Sequence, residues 1–225
     1  MSPQIADQNR PRLTPARVLE AAVALADDIG IADLTIRRLA KALVVKPMTI
    51  YHHVPNKKAI IDGMVDLVFE EIALPPANLD WREAMMVRSR SMREVLARHP
   101  WASPLMESRT TPGLATLAHH DAVLGCLRAG GLSLELTGHA YALIDAYLYG
   151  FALQEATLPA TSGDEMATLA SEIADQMPVD TLPYLAEFTS GHVLQPGYDF
   201  GNEFEFGLEL ILDGLQQASV EADRS

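Results

Sequence analysis

An all-α fold is predicted from three observations. Apolar residues recur at helical spacing through most of the 225 residues, side chains able to cap a helix precede those runs, and glycine or proline closes them. The first helix is predicted from Pro15 to Ile29, capped by Thr14 and stopped by Gly30. In the second, Ile36, Leu39, Ala40 and Leu43 follow the i, i+3, i+4, i+7 rule behind Thr35 as cap, leaving Arg37, Arg38 and Lys41 on the other faces. A third, short helix begins near Lys46 and Pro47, because proline lacks an N–H that the first turn would leave unpaired. Lys57 to Ala73 comes next with Asn56 as cap, and Pro75 and Pro76 stop it.

Further helices are predicted from about Asp80 to Arg98, around Ser103 to Ser108, and from Pro112 to Ala129, the last closed by Gly130 and Gly131. Leu134 to about Thr157 is another, capped by Ser133, and Thr157 to Gly163 reads as loop. Asp164 to Gln176 and Thr181 to Phe188 come next. Gly191 to Gly201, with Pro196, reads as an irregular connection, and Glu203 to Gln217 as the final helix. Residues 1–13 are polar, hold two prolines and lack an apolar core, so they are expected to be a disordered arm, neither signal peptide nor membrane anchor. Glu135, Asp145 and Glu155 interrupt the most apolar helix, which argues against a membrane span.

Leu34 to Lys58 carries the functional signal. On its third helix Ile50 and Val54 point inward, which leaves Met48, Thr49, Tyr51 and His52 outward on about two turns. Helix-turn-helix readers expose such groups, because their second helix sets its N-terminal side chains against base edges. The segment resembles the DNA-binding domain of the tetracycline-repressor (TetR) family of bacterial transcriptional regulators, most specifically in TIYHHVPNKKAI. DWREAM at Asp80 to Met85, HPW at His99 to Trp101, and FEFGLELILDGL at Phe204 to Leu215 resemble the C-terminal domain of the tetracycline-repressor-like branch. The implied fold is an N-terminal three-helix helix-turn-helix DNA-binding domain plus a C-terminal helical bundle for ligand binding and dimerisation. The expected divisions are 1–13, 14–60, 61–220 and a tail 221–225. Family members commonly carry glycine in the turn where this chain has Val44. A β-branched residue at positive φ is costly, so either another turn geometry or a longer second helix is expected.

By position, the resemblance implies that Arg37, Pro47, Met48 and Thr49 face base edges, while Thr35, Tyr51, His53 and Lys57 hold phosphates. Arginine can donate two bonds to guanine, methionine or a threonine methyl can pack on thymine, and lysine supplies unspecific charge. His53 has a second reading, packing against the first helix. Arg10 and Arg12 read either as a minor-groove arm or as a frayed terminus. Up to Lys58 there are nine Lys or Arg against five Asp or Glu, a net of +4, whereas the remainder holds eight against 25, a net of −17. A basic tip on an acidic body docks on a duplex one way round.

The helix around His139 to Leu153 is apolar over nearly its whole circumference, and the last helix carries one stripe of Phe204, Leu208, Ile211 and Leu215 and a second of Phe206 and Leu210. The resemblance implies that these helices pair with their copies in a homodimer, through Leu136, Leu143, Tyr147, Phe151, Phe204, Leu208, Ile211 and Leu215. The family also implies a small-molecule effector, here a hydrophobic one. Candidate lining residues are Met85, Met86, Met92, Trp101, Met106 and Tyr141, with His119, His139 and Asp145 as polar anchors, since methionine adapts to varied apolar shapes. The same residues also read as ordinary core.

The family's founding member binds metal-chelated tetracycline through a histidine and a carboxylate, and the position matching that carboxylate is Gln154, a poor ligand for a hard cation. His119 and His120 are adjacent, and no HxxxH or CxxC spacing occurs. No metal, no cofactor and no tetracycline binding are expected. Ser91, His99 and Asp145, or Cys126 with His120, could be grouped as a nucleophile set, but no nucleophile elbow or phosphate loop accompanies them, and no enzyme is expected. A single cysteine cannot form an internal disulfide, consistent with a reducing cytoplasm. The expected function is a ligand-responsive repressor that binds palindromic double-stranded operator DNA. The alternative is a dimeric small-molecule-binding helical protein without sequence-specific DNA binding.

Overall fold

The computed structural model describes residues 12–106, 109, 111–158, 163–176 and 181–222. Most of the expected arm, parts of the expected Ser108 and Thr157–Gly163 segments, and the end of the tail lie outside them. Among the described residues there are helices and no strands. Eleven α-helices run α1 (Pro15–Ile29), α2 (Ile36–Leu43), α3 (Pro47–Tyr51), α4 (Lys57–Glu71), α5 (Trp81–Arg98), α6 (Ser103–Met106), α7 (Leu114–Ala129), α8 (Leu134–Thr157), α9 (Gly163–Gln176), α10 (Pro183–Phe188) and α11 (Glu203–Ala222). They form two compact units, one of residues up to Leu74 with Glu94–Val123, the other of Pro75–Arg93 with Leu124 onward.

Local chemistry sets the helix starts. Side chains of Thr14, Thr35, Asn56 and Ser133 accept from the backbone N–H of Arg17, Arg38, Ala59 and Leu136 at 3.2, 3.2, 2.8 and 3.1 Å. Asp80 does the same for Glu83 at 3.0 Å. Each bond satisfies an N–H that the first turn cannot.

In the first unit α1 offers Val18, Ala22 and Ala26, one residue per turn and all buried, to α4 and α2. Gly63 lets α1 and α4 approach closely, since a Cβ there would lie 2.7 Å from Leu19 Cδ1. The HPW segment fastens this pair. Asp27 on α1 accepts from the Trp101 indole N–H at 2.6 Å and pairs with His99 Nδ1 at 2.8 Å. His99 Nε2 lies 3.3 Å from Glu71, which also accepts from Arg98 at 2.7 Å. Burial pushes the Glu71 carboxyl upward, but the bonds from Arg98 and His99 outweigh it and hold Glu71 below the usual range.

In the second unit Arg93 on α5 joins α8 and α11. Its guanidinium pairs with Glu155 at 2.5 Å and sits 5.1 and 4.9 Å from the ring centroids of Phe151 and Phe204. Tyr147 stacks on Phe204 and donates to the Phe204 carbonyl at 2.9 Å.

Three expectations about the chain path change. Val44 neither redirects the turn nor prolongs α2, because it adopts the left-handed conformation itself, φ 56°, ψ 45°. Its backbone N–H caps α2 on the carbonyls of Ala40 and Lys41, and its side chain is 63% exposed, so the branched Cβ meets no packed neighbour. The expected irregular connection begins with a π-helical turn, Thr189–Val193, that continues α10, and ends in a 3-10 turn, Phe200–Asn202. Gly191 reads as a breaker, yet it sits inside that turn. The final helix runs to Ala222, past Gln217, because Ser219 is still buried.

An L-residue in the left-handed region costs about 1–2 kcal/mol, while an exposed glycine loses part of that gain to chain entropy. Val44→Gly is therefore expected to raise unfolding stability by about 1 kcal/mol in urea denaturation.

Candidate nucleic-acid interface

Five residues make α3, too few for a helix to persist alone. Pro47 sets its first turn behind Lys46 as N-cap, and Ile50, with no exposed surface, plugs it into the first unit. Val54 is buried behind it and its N–H bonds the Ile50 carbonyl at 3.0 Å, which turns the chain into α4.

The opposite face is left outside. Met48 is 67% exposed, Tyr51 is exposed, and Thr49 is half-buried. Pro47 and His52 are exposed and His53 is half-buried. On the preceding helix Arg37 is exposed, and Thr35 is exposed although its hydroxyl is occupied in capping. Lys57, at the first position of α4, is exposed as well. Arg37, Lys41, Lys46 and Lys57 form no ion pair with the described residues, whereas Arg38 is 3.2 Å from Asp33 and Lys58 is 2.8 Å from Asp62. Four cations without an ion pair among the described residues, together with methionine, threonine and tyrosine, suit a phosphate-flanked base edge. A cleft of about 370 Å³ between α1 and α4 is lined by Glu20, Val23, Ala24, Asp27, Leu67, Glu70 and Glu71. Glu20 and Glu70 add negative charge there, while Asp27 and Glu71 are engaged by His99 and Arg98.

The expected effector residues fall in two groups. Met85, Met86, Met92 and Asp145 are buried in the second unit, and Tyr141 is half-buried there. Met106, His119 and Trp101 are buried in the first. Trp101 is not a free pocket wall, because its indole N–H is committed to Asp27. The imidazole of His119 lies 5.4 Å from the Phe69 ring. His139 is no buried anchor: its side chain is 71% exposed beside Glu135, one turn back.

Sequence reasoning missed the group that most distinguishes the second unit. Arg88, fully buried on α5, donates to Asp145 on α8 at 2.9 Å. Its only sequence signal is an arginine set between Met85 and Met92 on a buried stripe.

Of the expected dimer residues, Phe151, Phe204, Leu208 and Leu215 are buried within the chain itself, where Phe204 stacks on Tyr147 and lies against Arg93. Leu143 is exposed, and Leu136, Tyr147 and Ile211 are half-buried. The second stripe of α11 is the open one, with Phe206 69% and Leu210 64% exposed.

His99 is paired with Asp27 and Glu71, and Asp145 with Arg88. Burial, helped by nearby Asp80, pushes the Cys126 thiol up, away from thiolate chemistry. Among the described residues no helix is long and apolar enough to cross a membrane.

Residues 18–64 match the profile of bacterial regulatory proteins of the tetR family, and residues 74–219 that of the tetracyclin repressor-like C-terminal domain. The chain is 32% identical over 220 residues to the HTH-type transcriptional repressor DrrR1 of Streptomyces coeruleorubidus, covering 92% of this chain and 78% of that one. It is 28% identical over 213 residues to the class A tetracycline repressor protein from transposon 1721 of Escherichia coli, covering 91% of each. ActR of Streptomyces coelicolor, solved in complex with actinorhodin, superposes with a TM-score of 0.75 at 27% identity, over 93% of this chain and 99% of that one. With both halves matched, the chain belongs to the tetR family and is a helix-turn-helix transcriptional regulator.

Proposed function

We propose that two copies of the chain bind a pseudo-palindromic operator in the cytoplasm, repress transcription there, and release it when a small, largely apolar effector enters the C-terminal helical domain. The observation that carries this reading is the outward display of Met48, Thr49 and Tyr51 on a helix plugged in by Ile50. Arg37, Pro47, Met48 and Thr49 are assigned to base edges, and Thr35, Tyr51, His53 and Lys57 to phosphates. The functional division near residue 60 assigns recognition to the N-terminal segment and regulation to the C-terminal one.

Dimerisation is supported by the exposed apolar rows of α8 and α11, including Leu143, Phe206 and Leu210, which would be a liability in a monomer. A single five-residue reading helix gives modest affinity, while two held at fixed spacing multiply it through effective concentration. The complex of ActR with actinorhodin supports an organic effector for this chain too. Binding rather than catalysis is assigned to the whole molecule.

In a gel shift with the DNA upstream of its own gene, the chain is expected to bind one site specifically. Thr49→Ala and Tyr51→Ala should abolish that shift without lowering the melting temperature. Lys57→Ala should weaken binding to all sequences and reduce the slope of log affinity against log salt by about 1. Only weak, sequence-blind binding by the unaltered chain would instead favour a helical ligand carrier.

Tetracycline is not the proposed effector. Gln154 is exposed on α8, and its neutral amide is a poor partner for a hard divalent ion. Calorimetry with magnesium and tetracycline together should give no micromolar binding, and a micromolar isotherm would overturn this exclusion.

A further inference from the structure

The Arg88–Asp145 pair is buried in the second unit, with side-chain exposures of 0% and 8%. A buried ion pair is tolerated only when its remaining polar atoms are satisfied. Here Asp145 Oδ1 accepts from Arg88, but no described donor reaches Asp145 Oδ2. The same two helices bury two hydroxyls that have no described partner, Ser89 on α5 and Thr137 on α8. Thr137 is unusual among helical threonines, which commonly bond the carbonyl one turn back. Thr157, on the same helix, does so, donating to Leu153 at 2.8 Å.

Native folds leave few such atoms open, and these three lie on two helices joined by one ion pair. Thr137 and Asp145 are eight residues apart on α8, with Tyr141 midway between them, and are separated by about 12 Å along its axis. On α5, Met85 and Met92 flank Arg88 at i−3 and i+4, both fully buried.

We propose that Asp145 Oδ2, Ser89 and Thr137 form the polar anchors of the effector site, and that they select a neutral, elongated, apolar molecule with hydroxyl groups toward its ends. This rests on the effector reading above. Asp145 Oδ2 can only accept, so the ligand must donate to it. A carboxylic acid is disfavoured, because its anion would face the Asp145 carboxylate. Methionine side chains give way around an apolar body of varied outline.

The test uses the full chain and three rigid probes of one shape: trans-stilbene with a para hydroxyl on each ring, unsubstituted trans-stilbene, and the para dicarboxylic acid. Affinity is read by tryptophan fluorescence titration and stability by thermal melting. The dihydroxy probe is expected to raise the melting temperature and to bind at least tenfold more tightly than either of the others. Thr137→Val should leave the ligand-free melting temperature unchanged or higher, since it removes a hydroxyl without a partner, while weakening the dihydroxy probe about tenfold. Ser89→Ala should behave alike. Asp145→Asn leaves a buried arginine without its carboxylate and is expected to melt lower, so the hydroxyl variants carry the test.

Equal binding of the three probes, or binding of none, overturns the proposal, as does a ligand-free Thr137→Val that melts lower. Operator binding without probe discrimination overturns the anchor alone. Probe discrimination without operator binding supports the anchor and overturns the regulator reading instead.

Discussion

Everything the reading surface does depends on two buried side chains behind it. A helix as short as α3 has no stability of its own, so its outward groups are held in place because Ile50 and Val54 are buried in the first unit, where α3 packs on α2. Exposure of Met48 and Tyr51 is therefore a consequence of packing on the other side of the same turn. The left-handed Val44 belongs to this constraint. It reverses the chain between α2 and α3 within a few residues and accepts strain that glycine would avoid.

The core behind the surface is tied further down the chain. Asp27 at the end of α1 holds both His99 and Trp101, and Glu71 at the end of α4 holds His99 and Arg98. The contacts that stabilise the reading head thus come from beyond the segment that reads. The segment matched to the tetR-family profile, residues 18–64, and a packing unit that includes Glu94–Val123 describe different things. In the second unit Arg93 plays the corresponding part, binding Phe151 and Phe204 into one chain and leaving Phe206 and Leu210 turned outward.

What the sequence made legible is local. Thr14, Thr35, Asn56 and Ser133 announce helix starts because their side-chain oxygens reach backbone N–H groups three residues on. Ile50 announces its burial through spacing alone. The family match extends that reading over nearly the whole chain. What the sequence hid depends on partners distant in the chain. Two apolar stripes on α11 look equivalent until one meets Tyr147, and a tryptophan looks like pocket lining until its N–H finds Asp27. Arg88 on a methionine-flanked stripe gives no sign of Asp145 57 residues away. The π turn at Thr189–Val193 was hidden for another reason, since a lone glycine reads as a stop whether or not the helix passes through it.

Urea unfolding of Met48→Ala beside Ile50→Ala tests the central claim most directly, because the two residues are neighbours on one short helix and differ in which way they face. The account predicts that Ile50→Ala loses about 2–5 kcal/mol, as truncation of a buried aliphatic does, while Met48→Ala stays within about 0.5 kcal/mol of the unaltered chain. A Met48→Ala chain destabilised as much as Ile50→Ala would mean that Met48 is packed, and would remove the reading surface.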